Sequence, residues 1–169
     1  MKKIIVLLML LLPMISMSVV GQEIKIAIVK TGDVINEMPE VTALENDLVA
    51  LGKQYETLLK SQTDEYERKY TDFLAKQDSL AENIKTMLIQ EIDDLRTRIE
   101  NIQQSAYQER QKKQEEGFAP IREKLIEAIS QVGKENGYTY IVNPEALLYV
   151  GESVIDATDK VKAKLGLIK

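Results

Sequence analysis

Acid–base catalysis would need carboxylates that face one another, and the chain offers adjacent pairs at Asp64-Glu65, Asp93-Asp94 and Glu115-Glu116. All three fall in segments of helical composition, where neighbouring residues point about 100° apart. They are expected to be solvated helix surface, not catalytic dyads. Nucleophilic chemistry has no base to draw on, because the sequence contains no His and no Cys; Ser-His and Cys-His arrangements and His/Cys zinc sites are therefore closed. No GxxxxGK[ST], GxGxxG or DxDxDG pattern occurs. Thr31-Gly32-Asp33 has one glycine of a phosphate loop but not the second, nor the lysine, and reads as a plain turn. No catalytic, metal-binding or cofactor-binding residue is assigned, and an enzyme is not expected.

The elements explain more than the chemistry does. Ile24–Val29 is apolar or alternating over six residues and predicts a strand. Pro39 and Glu40 suit the first turn of a helix. From there to about Gln77 runs a seam, Leu44, Leu48, Leu51, Tyr55 and Leu58, at 4-3-4-3 spacing. Ser79-Leu80-Ala81-Glu82 reads as a capping box that starts a second helix near Leu80. This helix carries Leu88, Ile92, Leu95, Ile99, Ile102 and Ala106 in phase and stops at Asn136-Gly137. So short a link makes the two helices antiparallel, roughly 55 and 80 Å long at 1.5 Å per residue. After Gly137 the period changes. Tyr138–Val142 and Leu147–Val150 read as an antiparallel strand pair, Ser153–Ile155 as a third apolar piece, and Asp156–Leu165 as a short helix closed by Gly166.

The predicted fold is α+β: a small sheet body with a long helical hairpin inserted between its first strand and the later ones. The divisions are 1–21, a leader; 22–38, the first strand; 39–136, the arm, with its tip near 78–83; and 137–169, the rest of the body. The leader reading rests on Lys2-Lys3, the apolar run Ile4–Leu12 and Val19-Val20-Gly21 as a cleavage site. Its removal implies export and no retained membrane anchor. The chain has 22 basic and 27 acidic residues; without Lys2 and Lys3 its net charge falls from −5 to −7. That balance argues against nucleic acid and anionic membrane as partners.

A sheet of so few strands is marginal alone. Ile24, Ile26, Ile28, Ile141, Val142 and Leu148 would be only partly covered, which points to the sheet end as an oligomerisation hub. Within the arm, the second helix drops its apolar phase at Glu109, Lys113 and Glu116 before resuming at Phe118 and Ile121. Leu44, Leu48 and Leu51 would then lack an apolar partner. Either neighbouring subunits bury them while the polar stretch faces a water-filled cavity mouth, or the hairpin is a loose, solvent-rich coiled coil. Gly117 and Pro120 mark an expected joint, since proline removes one helical hydrogen bond. Nearer the tip, Tyr66, Tyr70, Phe73 and Met87 either pack in the hairpin or form a stripe for apolar segments of another protein.

"IKIAIVKTGDVINEMPE", "EIDDLRTRIENIQQSA", "QKKQEEGFAPIREKLIEAI", "VGKENGYTYIVNPEALLYV" and "DATDKVKAKLG" together resemble the Skp/OmpH family of periplasmic chaperones. The resemblance spans essentially the whole chain after residue 21. It implies a jellyfish-like homotrimer whose helical arms enclose a cavity. Unfolded outer-membrane β-barrel proteins are held there without ATP or any other cofactor. The residues named above would then divide into hub and arm-root contacts, client contacts and a hinge. One departure stands out: the best-known members of the family have basic arms, whereas residues 40–135 here carry 14 basic and 20 acidic side chains. A structural coiled-coil spacer of the envelope, without unfolded clients, is the rival reading.

Overall fold

The structure, a computed structural model, describes residues 24–168. In chain order it runs β1 (Ile26–Ile28), α1 (Thr31–Asn36), α2 (Pro39–Lys76), a 3₁₀ turn (Gln77–Ser79), α3 (Glu82–Asn136), β2 (Tyr140–Val142), a second 3₁₀ turn (Pro144–Ala146), β3 (Ile155–Asp156) and α4 (Thr158–Lys164). The leader assigned to residues 1–21 lies outside the described residues.

The small sheet is wholly parallel, in the order β2-β1-β3. Ile26, Ala27 and Ile28 stand beside Tyr140, Ile141 and Val142, and Ala27 and Ile28 beside Ile155 and Asp156. The expected antiparallel pairing of 138–142 with 147–150 is not formed. Leu147–Val150 is not a strand, and Leu148 is fully exposed. That β2 instead runs parallel to β1 follows from α3, which is longer than α2 (55 residues against 38). Its last turns run past the root of the arm and over the sheet, laying Leu125, Ala128 and Val132 against Ala27 and Val29. They act as the crossover of a β-α-β unit, and such a crossover returns the chain parallel to the strand it left. Asn136-Gly137 ends α3 as expected: Gly137 takes φ 65°, and the Tyr138 N–H reaches the Gly133 carbonyl at 3.0 Å.

Two joined clusters form the core. Val34 of α1, Ala157 and Val161 complete the layer over β1. Met38, Val41, Leu44 and Ile121 form the second cluster where the arm leaves the body, with Ile35, Leu165 and Leu167 packing on both. Thr158 fastens the strand ends. Its hydroxyl accepts the Lys30 N–H at 3.0 Å, and its own N–H donates to Asp156 Oδ1 at 2.9 Å. Lys30 Nζ lies 3.4 Å from the other carboxylate oxygen. This donor set, led by the Thr158 hydrogen bond, holds the Asp156 carboxyl below its ordinary pKa.

The helices α2 and α3 lie side by side. Lys69 meets Glu91, Asp47 meets Lys113, and Tyr55 meets Glu109. Opposed residues add to between 160 (Lys69–Glu91) and 164 (Tyr55–Glu109), so the reversal is centred a few residues beyond Ser79. The capping box does not form. Ser79 Oγ donates to the Lys76 carbonyl at 2.8 Å, closing α2, and α3 starts at Glu82 after extended Leu80 and Ala81 with no side-chain cap. The serine satisfied an orphan carbonyl behind it instead of an N–H ahead of it.

Candidate functional site

Along the arm, burial is sparse. Val41, Leu44 and Ile121 are buried at the root, and beyond them Leu95 is the one arm residue less than a tenth exposed among the described residues. The two apolar seams predicted from the sequence overlap only where Leu51 and Tyr55 come near Ala106, and most of their side chains remain half-covered. A helix pair this thin has no second layer to close over it.

The polar window of α3 stays exposed at Glu109 and Glu116, while Glu109 and Lys113 also reach α2 through polar contacts. The Tyr55 hydroxyl donates to Glu109 Oε2, and Lys113 Nζ lies 3.1 Å from Asp47. The Glu109 carboxylate beside it raises the pKa of Tyr55, so the phenol keeps the proton it donates. Leu44 needs no neighbouring subunit, because it is buried against α3 at Gly117. A Cβ at Gly117 would stand 2.4 Å from Leu44 Cδ1, so the absent side chain is what lets the helices close there. Leu48 and Leu51 stay half-buried. Within the single chain the hairpin is loose and solvent-rich over this stretch.

Pairing across the window by hydrogen bonds leaves openings beside it. One groove of about 390 Å³ is lined by Leu51, Gly52, Tyr55, Leu59, Ala106 and Tyr107. A second, of about 220 Å³, lies on the other side of Tyr55, beside Leu58. Toward the tip, Tyr66 and Tyr70 stack in parallel with ring centroids 5.9 Å apart. With Phe73, Ile89 and Ile92 they line a groove of about 170 Å³. Met87 is half-exposed but stands outside this group. The arm's apolar openings are thus brought together by i, i+4 spacing on each helix and the register between them.

The acidic doublets behave as solvated surface. Asp64 takes Lys60 at 3.0 Å, Asp94 accepts from Gln90 at 2.9 Å, and Glu116 lies 3.9 Å from Lys112. Each partner is one turn away on the same helix. Among the described residues no group of three metal-ligating side chains assembles, and no helix is long and apolar enough to cross a membrane.

At the other end of the molecule the sheet presents an uncovered apolar face. Ile24, Ile26 and Tyr140 are 65, 45 and 60% exposed, and Leu148 projects completely. Ile28 is buried within the chain, while Ile141 and Val142 are partly covered. Pro120 lies inside a continuous α3 and one residue before buried Ile121.

A sequence model of the family described as "Outer membrane protein (OmpH-like)" matches residues 25–165, which takes in the sheet, both long helices and α4. The chain belongs to the OmpH-like family. A solved structure from Caulobacter crescentus, assigned as an OmpH-like outer membrane chaperone, has the same fold, with a TM-score of 0.73 at 15% identity over 84% of this chain and 83% of that one. A search of curated proteins gave no match. In this OmpH-like chain the sequence reading named Tyr66, Tyr70 and Phe73, which line one groove, but did not name the groove at Gly52. An interior helical glycine was the available signal, since with Ala106 in the same lining it leaves space between the helices.

Proposed function

We propose that this OmpH-like protein is an ATP-independent holdase of the periplasm that binds unfolded outer-membrane β-barrel proteins and keeps them from aggregating. The observation that carries the reading is the arm itself: long, thinly packed, and opening into apolar and aromatic grooves that none of the described residues fills. A structural spacer would gain stability by closing such a seam. A holdase needs it open, with many weak contacts and fast exchange. Tyr66, Tyr70, Phe73 and Met87 are proposed to touch the client near the tip.

The working form is proposed to be a homotrimer. Ile24, Ile26 and Leu148 are its best-exposed hub contacts, with Ile141 and Val142 beside them; Leu48 would face an adjoining arm at the root, while Leu51 lines the mid-arm groove. Ile28 and Leu44 act through their own chain's core. Light scattering on residues 22–169, alone and mixed with a urea-diluted porin, tests both levels. The expected result is a mass of three chains that rises by one porin without precipitate. A monomer or dimer that lets the porin precipitate would leave the spacer as the better account.

A further inference from the structure

Gly52 occupies the middle of α2, where glycine disfavours helix by about 1 kcal/mol relative to alanine. At Gly117 the missing side chain admits Leu44, but at Gly52 a Cβ would meet nothing within 4 Å. Its absence contributes only empty space. That space is the floor of the mid-arm groove, walled by Tyr55 and Tyr107 and closed by Leu51, Leu59 and Ala106. Tyr107 is 65% exposed, and its hydroxyl accepts from Gln111 at 2.6 Å, which turns the polar end of the ring toward its own helix. At the rim stand Glu56 and Arg110. Neither has an ion-pair partner within reach among the described residues.

The rim chemistry narrows the occupant. Arginine only donates and an ionised carboxylate only accepts. One of each at the mouth of an apolar groove complements a neutral group carrying both N–H and C=O, which describes an extended peptide. It does not suit an anionic lipid, which Glu56 and the acidic arm would repel. Two tyrosine walls favour a ring between them over a branched aliphatic chain. We infer that the groove at Gly52 is a discrete subsite for an aromatic side chain of an extended polypeptide, with Glu56 and Arg110 taking the backbone on either side of it. The subsite rests on the holdase reading and assigns part of the client contact to the middle of the arm, well below the tip aromatics.

Filling the floor tests it without breaking the helix. Gly52→Phe places a ring in the groove, and Gly52→Ala adds one methyl and leaves most of the space. Both are measured for affinity toward a urea-unfolded porin and, separately, toward an uncharged peptide whose aromatic residues are Phe and Tyr. Thermal unfolding is followed in parallel. Gly52→Phe is expected to weaken both ligands roughly tenfold, the scale of one buried aromatic side chain. Gly52→Ala should bind within about twofold of the parent, and neither variant should melt earlier. Unchanged affinity in Gly52→Phe would overturn the subsite while leaving the holdase intact. A changed molar mass in Gly52→Phe would overturn it too, by assigning the groove to contact between copies. If the parent protein fails to hold the porin at all, the holdase reading itself falls.

Discussion

Two glycines on the facing helices, Gly52 and Gly117, carry opposite meanings that only their surroundings reveal. Gly117→Ala would press a methyl into Leu44, whose Cδ1, Cδ2 and Cγ lie 2.4, 3.0 and 3.2 Å from the new Cβ. The whole side chain must move, and Leu44 is buried in the root cluster. The helix-propensity gain of about 1 kcal/mol is then outweighed by overpacking of about 1–3 kcal/mol. Gly117→Ala is expected to lower the melting temperature, and Gly52→Ala to raise it, at equal protein concentration. In a Leu44→Ala background the Gly117→Ala penalty should disappear, because the clash has been removed; calorimetry of the four variants checks this as a double-mutant cycle. The sequence displayed both glycines inside helical segments but not which residue stood opposite. That depended on the register between the two helices, which no local signal in either one sets.

Asp156 is the residue whose protonation should be felt. Its pKa is lowered first by the Thr158 hydrogen bond, then by the Thr158 N–H and Lys30. A carboxyl depressed on folding adds stability above its unfolded pKa and loses it as pH falls through the folded value. Asp156→Asn is therefore expected to be less stable than the parent at pH 7, with the difference vanishing in acid below the usual carboxylate range. Denaturant midpoints measured across pH check the sign; a gap that persisted at low pH would mean that Asp156 acts by shape alone. The sequence did show an acid near the start of this last helix, but not its bond to the strand end at Lys30.

At the scale of elements, the long helices and their stops were legible because heptad spacing, Pro39 and Asn136-Gly137 are local signals. The sheet was not. Strand direction depends on where α3 delivers the chain, which is decided by its extra turns over β1 and not by any residue in β2. The apolar run Leu147–Val150 looked like a strand and stands out in solvent instead, with no partner edge beside it in the single chain. The expected joint at Gly117 and Pro120 now has a specific competitor. Gly117 and Ile121 sit in close-packed contact with α2 at the root, whereas the stretch around Tyr55 has openings on both sides. Pro120→Ala restores one helical hydrogen bond and should straighten the root. If the joint lies at the proline, small-angle scattering will show a narrower spread of arm dimensions. If it lies at the window, the spread will persist, and amide exchange will be fastest near residues 52–55 and 106–109.

For the whole molecule, charge is the property that sets this chain apart from the pattern it resembles. Salt-dependent attraction of acidic clients by basic arms has no counterpart in arms with 20 acidic and 14 basic residues. Client affinity is accordingly expected to change little, or to rise, between low and physiological salt. Titration of the porin at the two ionic strengths measures this directly, and a steep loss with salt would restore an electrostatic role.

The crossover turns of α3 have a mechanical consequence. One uninterrupted helix both caps the sheet and forms the outer strut of the arm, so the arm has no separate shoulder. From Ile121 to Glu82 is about 40 residues, or about 60 Å of helix. A rotation of about 1° where Leu125, Ala128 and Val132 sit on the strands would sweep the far end by about 1 Å. In the proposed trimer, small adjustments in how the bodies seat would thus be geared up along the arm, by about 1 Å at the far end for each degree.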